Sequence, residues 1–457
     1  MHLLTLAQDQ HNYGFEGRLS EAIFIACVAA MVLVALFLAK LSFRNWIIAA
    51  ILFTSCLAPS VDTVLERYNP TWMFIVQLKH ADLHLALGIF LTILVVVAGD
   101  MNVRYASAQG ALLFGLAIYV GLLQFYHEDT QTALEAIGFA LATIPCFMFA
   151  AGRSAKSLEG VSGLIRTIMW VSVAWTVCCS VQFVLNPRYL VNWNGRFHGM
   201  LGNAQHVAAM VAPFAIIAVW LFLHDPQKRR RILWVAIFAV NLLFLVWTGS
   251  RTGGLMFVLG LSLVLYTRIG NAVLLMPIGV LLVWGLSYLA DALQISSNLQ
   301  RFISTENTRE GVLSGQIRAA LENPILGAGW RSGTVGTENS YLGALGAYGI
   351  ICFFIILCLL GVSVWQCTRF NLQKRWLDRE RRAVVDLFTA FMAMFFAGAV
   401  FEGYMLARSF IPLLMLLIFS AIGVWIRDEI AASQAASEQA RLDHDEYEDP
   451  ELSPAHE

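Results

Sequence analysis

Three groups of polar residues stand out in a chain that is otherwise mostly apolar. The first runs from Asn194 through Arg196, His198 and Asn203 to Gln205 and His206. The second is Gly249, Ser250, Arg251, Thr252, Gly253 and Gly254, followed by Leu255. The third holds Pro324, Gly327, Gly329 and Trp330, then Glu338, Asn339, Ser340 and Tyr341. Each group lies at the end of an apolar run. Arginines at the ends of separate membrane helices are costly beside lipid unless they face a polar cavity or a partner. The planar guanidinium fork suits a phosphate or diphosphate held through two parallel hydrogen bonds. Glycines around Arg196 and Arg251 permit close backbone approach and favour that reading. The alternative is that both arginines snorkel to lipid headgroups.

Positioning such groups falls to membrane helices. Of the 457 residues, 58% are hydrophobic and 13% are charged, about half the charged share of soluble domains. That is too little charge for the shell of a soluble core. A net charge of -1 excludes the basic surplus of a nucleic-acid binder. The eight cysteines lie in or beside apolar runs without metal-ligand spacing, so they read as small apolar filler. About thirteen runs approach the ~20 residues that cross a ~30 Å hydrocarbon layer. They lie at 20–40, 45–61, 82–99, 105–126, 131–152, 161–185, 199–223, 231–249, 252–268, 271–290, 339–366, 384–402 and 407–426. The second and ninth are short, so twelve is the alternative. Glu135 and Asn241 fall inside spans, where interhelical hydrogen bonding is the expected role.

Lys and Arg mark the cytoplasmic side. Clusters stand at 228–231 and 374–382, with weaker ones at Lys40/Arg44, Arg104, Arg153/Lys156 and Arg268. With thirteen spans they all fall on one side, so the N-terminus is expected outside and the C-terminus inside. The three polar groups then share the outer face. The expected organisation is a transmembrane helical domain over 1–427, with one long periplasmic loop at 291–338. A cytoplasmic acidic tail over 428–457 is expected to be disordered or a frayed helix. Its Asp443, His444 and Asp445 look like a metal triplet but lie on the wrong side, and no metal site is expected.

The pattern Arg-Phe-x-Gly-x-x-Gly-Asn at 196–203, Ser250–Arg251, Pro-x-x-Gly-x-Gly at 324–329 and the Asn-containing helix start at 338–342 resembles the O-antigen ligase/polymerase family. These are bacterial membrane glycosyltransferases of C-type architecture. The resemblance covers roughly residues 190–365, with the span layout extending over the whole chain. Each motif is weak alone, and their order, spacing and shared face make the match specific. The Arg-x-x-x-Leu element of the ligases reads as Arg251 to Leu255. Glu338 stands where ligases carry a His before the Asn. Gly349 occupies the family's glycine position, and Cys352 stands where Gly, Thr or Tyr is usual. The polymerase side of the family accommodates these departures better.

The resemblance implies a polyprenyl diphosphate-linked oligosaccharide donor and a sugar or lipid A-core acceptor at the periplasmic face of the bacterial inner membrane. Arg196 and Arg251 would hold the diphosphate and Glu338 would act as base, inverting the anomeric centre without metal or other cofactor. Arg309, His198, Asn203, Asn339 and Tyr341 would contact substrate. Arg309 is equally explained by a loop salt bridge with Glu306 or Glu310, and Asn203 by bracing the site. His198 and His206 are alternative acid/base candidates, although helix-packing hydrogen bonds explain His206 better. Glu402, Tyr404 and Arg408 could line the acceptor side, but a structural Glu402–Arg408 pair is the simpler reading. The expected activity is polymerisation of exopolysaccharide or O-antigen repeat units, with a flippase and a chain-length regulator as partners. Ligation to lipid A-core is the alternative, and membrane transport a further one.

Overall fold

A backbone crossing lipid must satisfy its own hydrogen bonds, which leaves helices or closed barrels. In the computed structural model the chain takes the first route. The structure describes residues 42–56, 83–99, 101–185, 190–191, 195–269, 310–329, 339–406 and 410–447. Among them, eight helices are long and apolar enough to cross a membrane, and three shorter apolar helices accompany them. Together these account for every expected span except 20–40 and 271–290, which lie outside the described residues. The chain is an all-α polytopic helical bundle.

The described helices are α1 (Phe43–Ser55), α2 (Leu83–Val97), α3 (Ala108–Tyr126), α4 (Thr130–Gly138), α5 (Ile144–Ser154), α6 (Leu158–Leu185), α7 (Ala204–His224), α8 (Lys228–Thr248), α9 (Arg251–Ile269), α10 (Glu310–Glu322), α11 (Ser340–Gln373), α12 (Arg379–Ala399) and α13 (Ile411–Tyr447). A π-helical turn at Phe139–Thr143 joins α4 to α5 as one span. Within the expected long loop lies α10, packed on α11. The acidic tail, expected to be disordered or a frayed helix, continues α13 to Tyr447.

Burial separates the centre from the rim. The apolar windows of α7 and α12 are 78% buried and that of α13 is 89% buried, against 33% for α8. The first three therefore form the core, and α8 presents much of its apolar surface outward. Asn241 of α8 is fully buried and donates to Ser172 of α6 at 3.1 Å, the interhelical bond expected of it.

The two ends of the bundle differ in chemistry. At one end Arg381 pairs with Glu429 at 2.7 Å, Lys374 with Asp386 at 2.8 Å and Arg104 with Asp428 at 3.4 Å. There too, Lys156 lies over the Tyr105 ring. The basic clusters thus gather at the end where α8 and α12 begin. The described residues of the three polar groups singled out in the sequence belong to the opposite end.

The third group shapes the backbone itself. Gly349 interrupts α11 at φ 76°, ψ -174°, a conformation essentially confined to glycine. The break leaves carbonyls of Ser340–Tyr348 and the amide of Ile350 without helical partners. The Pro324–Gly329 turn supplies them. Ala328 N–H donates to the Gly346 carbonyl at 2.9 Å and Gly329 N–H to that of Ala347 at 3.1 Å, while Ile350 N–H donates to the Pro324 carbonyl at 2.9 Å. The Tyr119 hydroxyl donates to the Tyr348 carbonyl at 3.3 Å. A Cβ on Gly349 would collide with the Ile325 carbonyl, and one on Gly327 with Ala347. Gly349→Ala is expected to destabilise the folded protein by more than about 2 kcal/mol, read as a lower melting temperature in detergent. Gly361→Ala, where an added Cβ meets nothing within 4 Å, is expected to be neutral or mildly stabilising.

Candidate functional site

The loop carrying Arg196 is pinned by Phe197. Its ring is buried, stacks on Phe244 at 4.4 Å and on Trp247 at 5.3 Å, and meets the edge of Trp175. Backbone bonds reinforce the packing: Phe197 N–H donates to the Trp247 carbonyl, and the Trp247 indole donates to the Gly195 carbonyl at 3.1 Å. These contacts set the neighbouring Arg196 against the end of α8. Its Nε donates to the Thr248 carbonyl at 2.6 Å, one of the last carbonyls of α8, which lack intrahelical partners. One N–H of the guanidinium therefore fixes the plane of the group.

Three residues further on comes Arg251. Gly249 closes α8 in a left-handed turn, and Ser250 caps α9 by accepting from Gly253 N–H at 3.3 Å. Arg251 is the first residue of α9 and is exposed. Two arginines 55 positions apart in the sequence are therefore placed at one helix–helix corner, Arg196 on the last turn of α8 and Arg251 at the start of α9. The glycines near Arg251 have a packing role as well. A Cβ on Gly253 would sit 2.6 Å from that of Ala208, so this glycine lets α9 lie close against α7.

From this corner the contacts continue to α11. The Thr252 hydroxyl donates to Glu402 Oε1 at 3.3 Å, and the Ser340 hydroxyl donates to the main-chain carbonyl of Glu402 at 2.5 Å. Glu402 is 2% exposed. Asn339 precedes Ser340, and Glu338 precedes Asn339. Both Glu338 and Arg309 lie outside the described residues, as does Arg408, the expected partner of Glu402.

Several expected substrate contacts have structural work of their own. Asn203 caps α7, accepting from Gln205 N–H at 2.8 Å. Asn339 caps α11, accepting from Tyr341 N–H at 2.8 Å and Leu342 N–H at 2.9 Å. The Tyr341 hydroxyl donates to the Phe396 carbonyl at 3.3 Å. Asn203 therefore braces the site. Asn339 caps α11, and Tyr341 ties that helix to the end of α12. Cys352 is fully buried and joins the hydrophobic core. His206 packs against the Phe410 ring at 4.7 Å.

His198 is 5% exposed, and its Nδ1 lies 2.9 Å from the Gly199 carbonyl. A carbonyl only accepts, so the ring proton sits on Nδ1 and Nε2 is the acceptor. Burial holds the ring below its ordinary value of 6.5, partly opposed by backbone hydrogen bonding. Tyr404 is buried beside Glu402, and burial, with the nearby Glu402 charge, pushes its phenol well above the usual range. Its hydroxyl donates to the Phe395 carbonyl.

The hydrogen-bond partners of Glu402 are what the sequence did not reveal. A carboxylate at the end of an apolar run was visible, but its neighbours Thr252 and Ser340 are 150 and 62 positions away. In comparisons with known proteins, no family model matches the chain, and no curated protein is similar to it by sequence.

The His198 ring makes a signed prediction. The unfolded ring takes up a proton near pH 6.5, whereas the folded ring resists protonation until lower pH. Its contribution to stability is full above about 6.5 and is lost as pH falls through and below that value. The fall in melting temperature between about pH 7.5 and 5.5 is expected to be smaller in His198→Gln than in the unsubstituted protein.

Proposed function

We propose that this chain is a membrane glycosyltransferase that moves glycan from a polyprenyl diphosphate to a sugar hydroxyl, polymerising exopolysaccharide or O-antigen repeat units. The observation that carries the reading is the corner where Arg196 is fixed on the carbonyl of Thr248, the residue three positions before Arg251. Paired guanidinium groups at a membrane surface suit a lipid-linked diphosphate. The basic clusters at the opposite end support a cytoplasmic position for that end, and so a periplasmic one for the arginine corner. The motif order over 190–365 points the same way and supplies the donor class.

In the proposed reaction the acceptor hydroxyl oxygen attacks the anomeric carbon, and the bond from that carbon to the diphosphate oxygen breaks. The hydroxyl proton passes to Glu338, and the polyprenyl diphosphate departs with the bonding electron pair. Attack opposite the leaving group inverts the anomeric centre. Arg196 and Arg251 stabilise the negative charge growing on the diphosphate, commonly the largest catalytic contribution. A carboxylate with an ordinary value of about 4.3 becomes a better base when partly buried.

Complementation of a deletion strain tests this. Arg196→Ala and Arg251→Ala are each expected to lower polymer production roughly 10²–10³-fold, with the protein still present in the membrane. Glu338→Gln is expected to be similarly impaired. Separation of surface glycans identifies the acceptor: single-unit chains in the deletion strain support polymerisation, whereas full-length glycan missing from lipid A-core supports ligation. Wild-type glycan from all three variants would contradict the site.

A further inference from the structure

Buried carboxylates elsewhere among the described residues serve their own neighbourhood. Asp129 accepts from Thr132 N–H in the first turn of its own helix, Asp225 accepts from the Trp234 indole at 3.0 Å, and Asp386 pairs with Lys374. Glu402 differs. Its side chain accepts from Thr252 at the start of α9, and its main-chain carbonyl accepts from Ser340 at the start of α11. Met405 N–H then donates back to the Ser340 hydroxyl at 3.3 Å, so the turn between α12 and α13 is tied to α11 twice. One short segment thereby joins the helix that begins with Arg251 to the helix that follows Glu338.

A packing contact alone would not call for a carboxylate. Taking a carboxylate out of water costs several kcal/mol, and well-packed apolar replacements of buried charges are often neutral or stabilising. A hydrogen bond adds what apolar packing lacks, a defined direction and distance between two helix ends. Glycosyl transfer needs that definition, because the acceptor oxygen and the anomeric carbon must approach within about 3–3.5 Å before reaction.

We propose that Glu402 is a positioning residue for the transfer reaction, holding the diphosphate-gripping end of α9 and the acceptor-side end of α11 in one register. The proposal depends on the reading of this corner as a glycosyl-transfer site. Glu402 touches neither substrate in this role; it acts through Thr252 and the turn bonded to Ser340.

The test uses the full chain in lipid nanodiscs, with the lipid-diphosphate glycan that accumulates in the deletion strain as donor. Glu402→Ala is expected to lower kcat roughly ten- to a hundredfold with little change in donor KM. Glu402→Gln, whose amide oxygen still accepts from Thr252, is expected to recover most of that loss. Thr252→Val removes the same hydrogen bond by a smaller change and is expected to lower kcat in the same direction, with Thr252→Ser recovering it. This pair carries the test where Glu402→Ala fails to fold, as judged by melting temperature. Wild-type turnover in folded Glu402→Ala or Thr252→Val overturns the proposal. So does a folded Glu402→Gln as impaired as the alanine variant, because the hydrogen bond would then not be what matters. Arg196→Ala and Arg251→Ala in the same assay separate two kinds of failure. If they are inactive while Glu402→Ala is not, only the positioning role falls. If they too keep wild-type turnover, the site reading falls with it.

Discussion

An unpaired backbone group in hydrocarbon costs several kcal/mol, and this constraint shapes the chain from its spans to its candidate site. It makes each described span a helix, and it also decides where a helix can stop. At Gly349 the helix breaks within a span, and the exposed carbonyls and amide are met by Ala328, Gly329 and Pro324. At the end of α8 the Thr248 carbonyl is met by Arg196 Nε. Asn203, Ser250 and Asn339 meet the first amides of α7, α9 and α11. Polar side chains at this end of the bundle are there first because helix ends need partners.

That demand also gathers the polar groups. Arg196 is drawn to the end of α8, which lies one tight turn from Arg251. Glu402 reaches the starts of both α9 and α11 through Thr252 and Ser340. Segments far apart in sequence are joined by contacts of about one hydrogen bond each. The bundle end thus carries two arginines on one corner and a buried carboxylate beside it.

The sequence made the spans legible because apolar length is itself the physical requirement for crossing lipid. Charge sidedness was legible for the same reason, and Arg381, Lys374 and Arg104 do gather at one end. Less could be read where tertiary contacts decide. The glycine at 349 was visible, but its need for space against the Ile325 carbonyl was not. Asn203, Asn339 and Tyr341 stand among the candidate residues, yet capping bonds and a helix-to-helix hydrogen bond explain them. An N-cap and a ligand contact select the same residue types, so sequence alone does not separate them. The tail's polar composition left disorder and a frayed helix both open, and α13 continues through it to Tyr447. Glu402 was noticed without its partners, because hydrogen bonds across 150 positions leave no periodic trace.

The claim that Arg196 and Arg251 form one diphosphate grip is tested most directly by binding. Purified protein in nanodiscs would be titrated with sugar-free polyprenyl diphosphate, and with the monophosphate as comparison. Preference for the diphosphate is expected, lost in Arg196→Ala and in Arg251→Ala, with the double variant losing less than the sum of the two because both contact one ligand. Equal binding of the two lipids, or diphosphate binding untouched by either substitution, would contradict it.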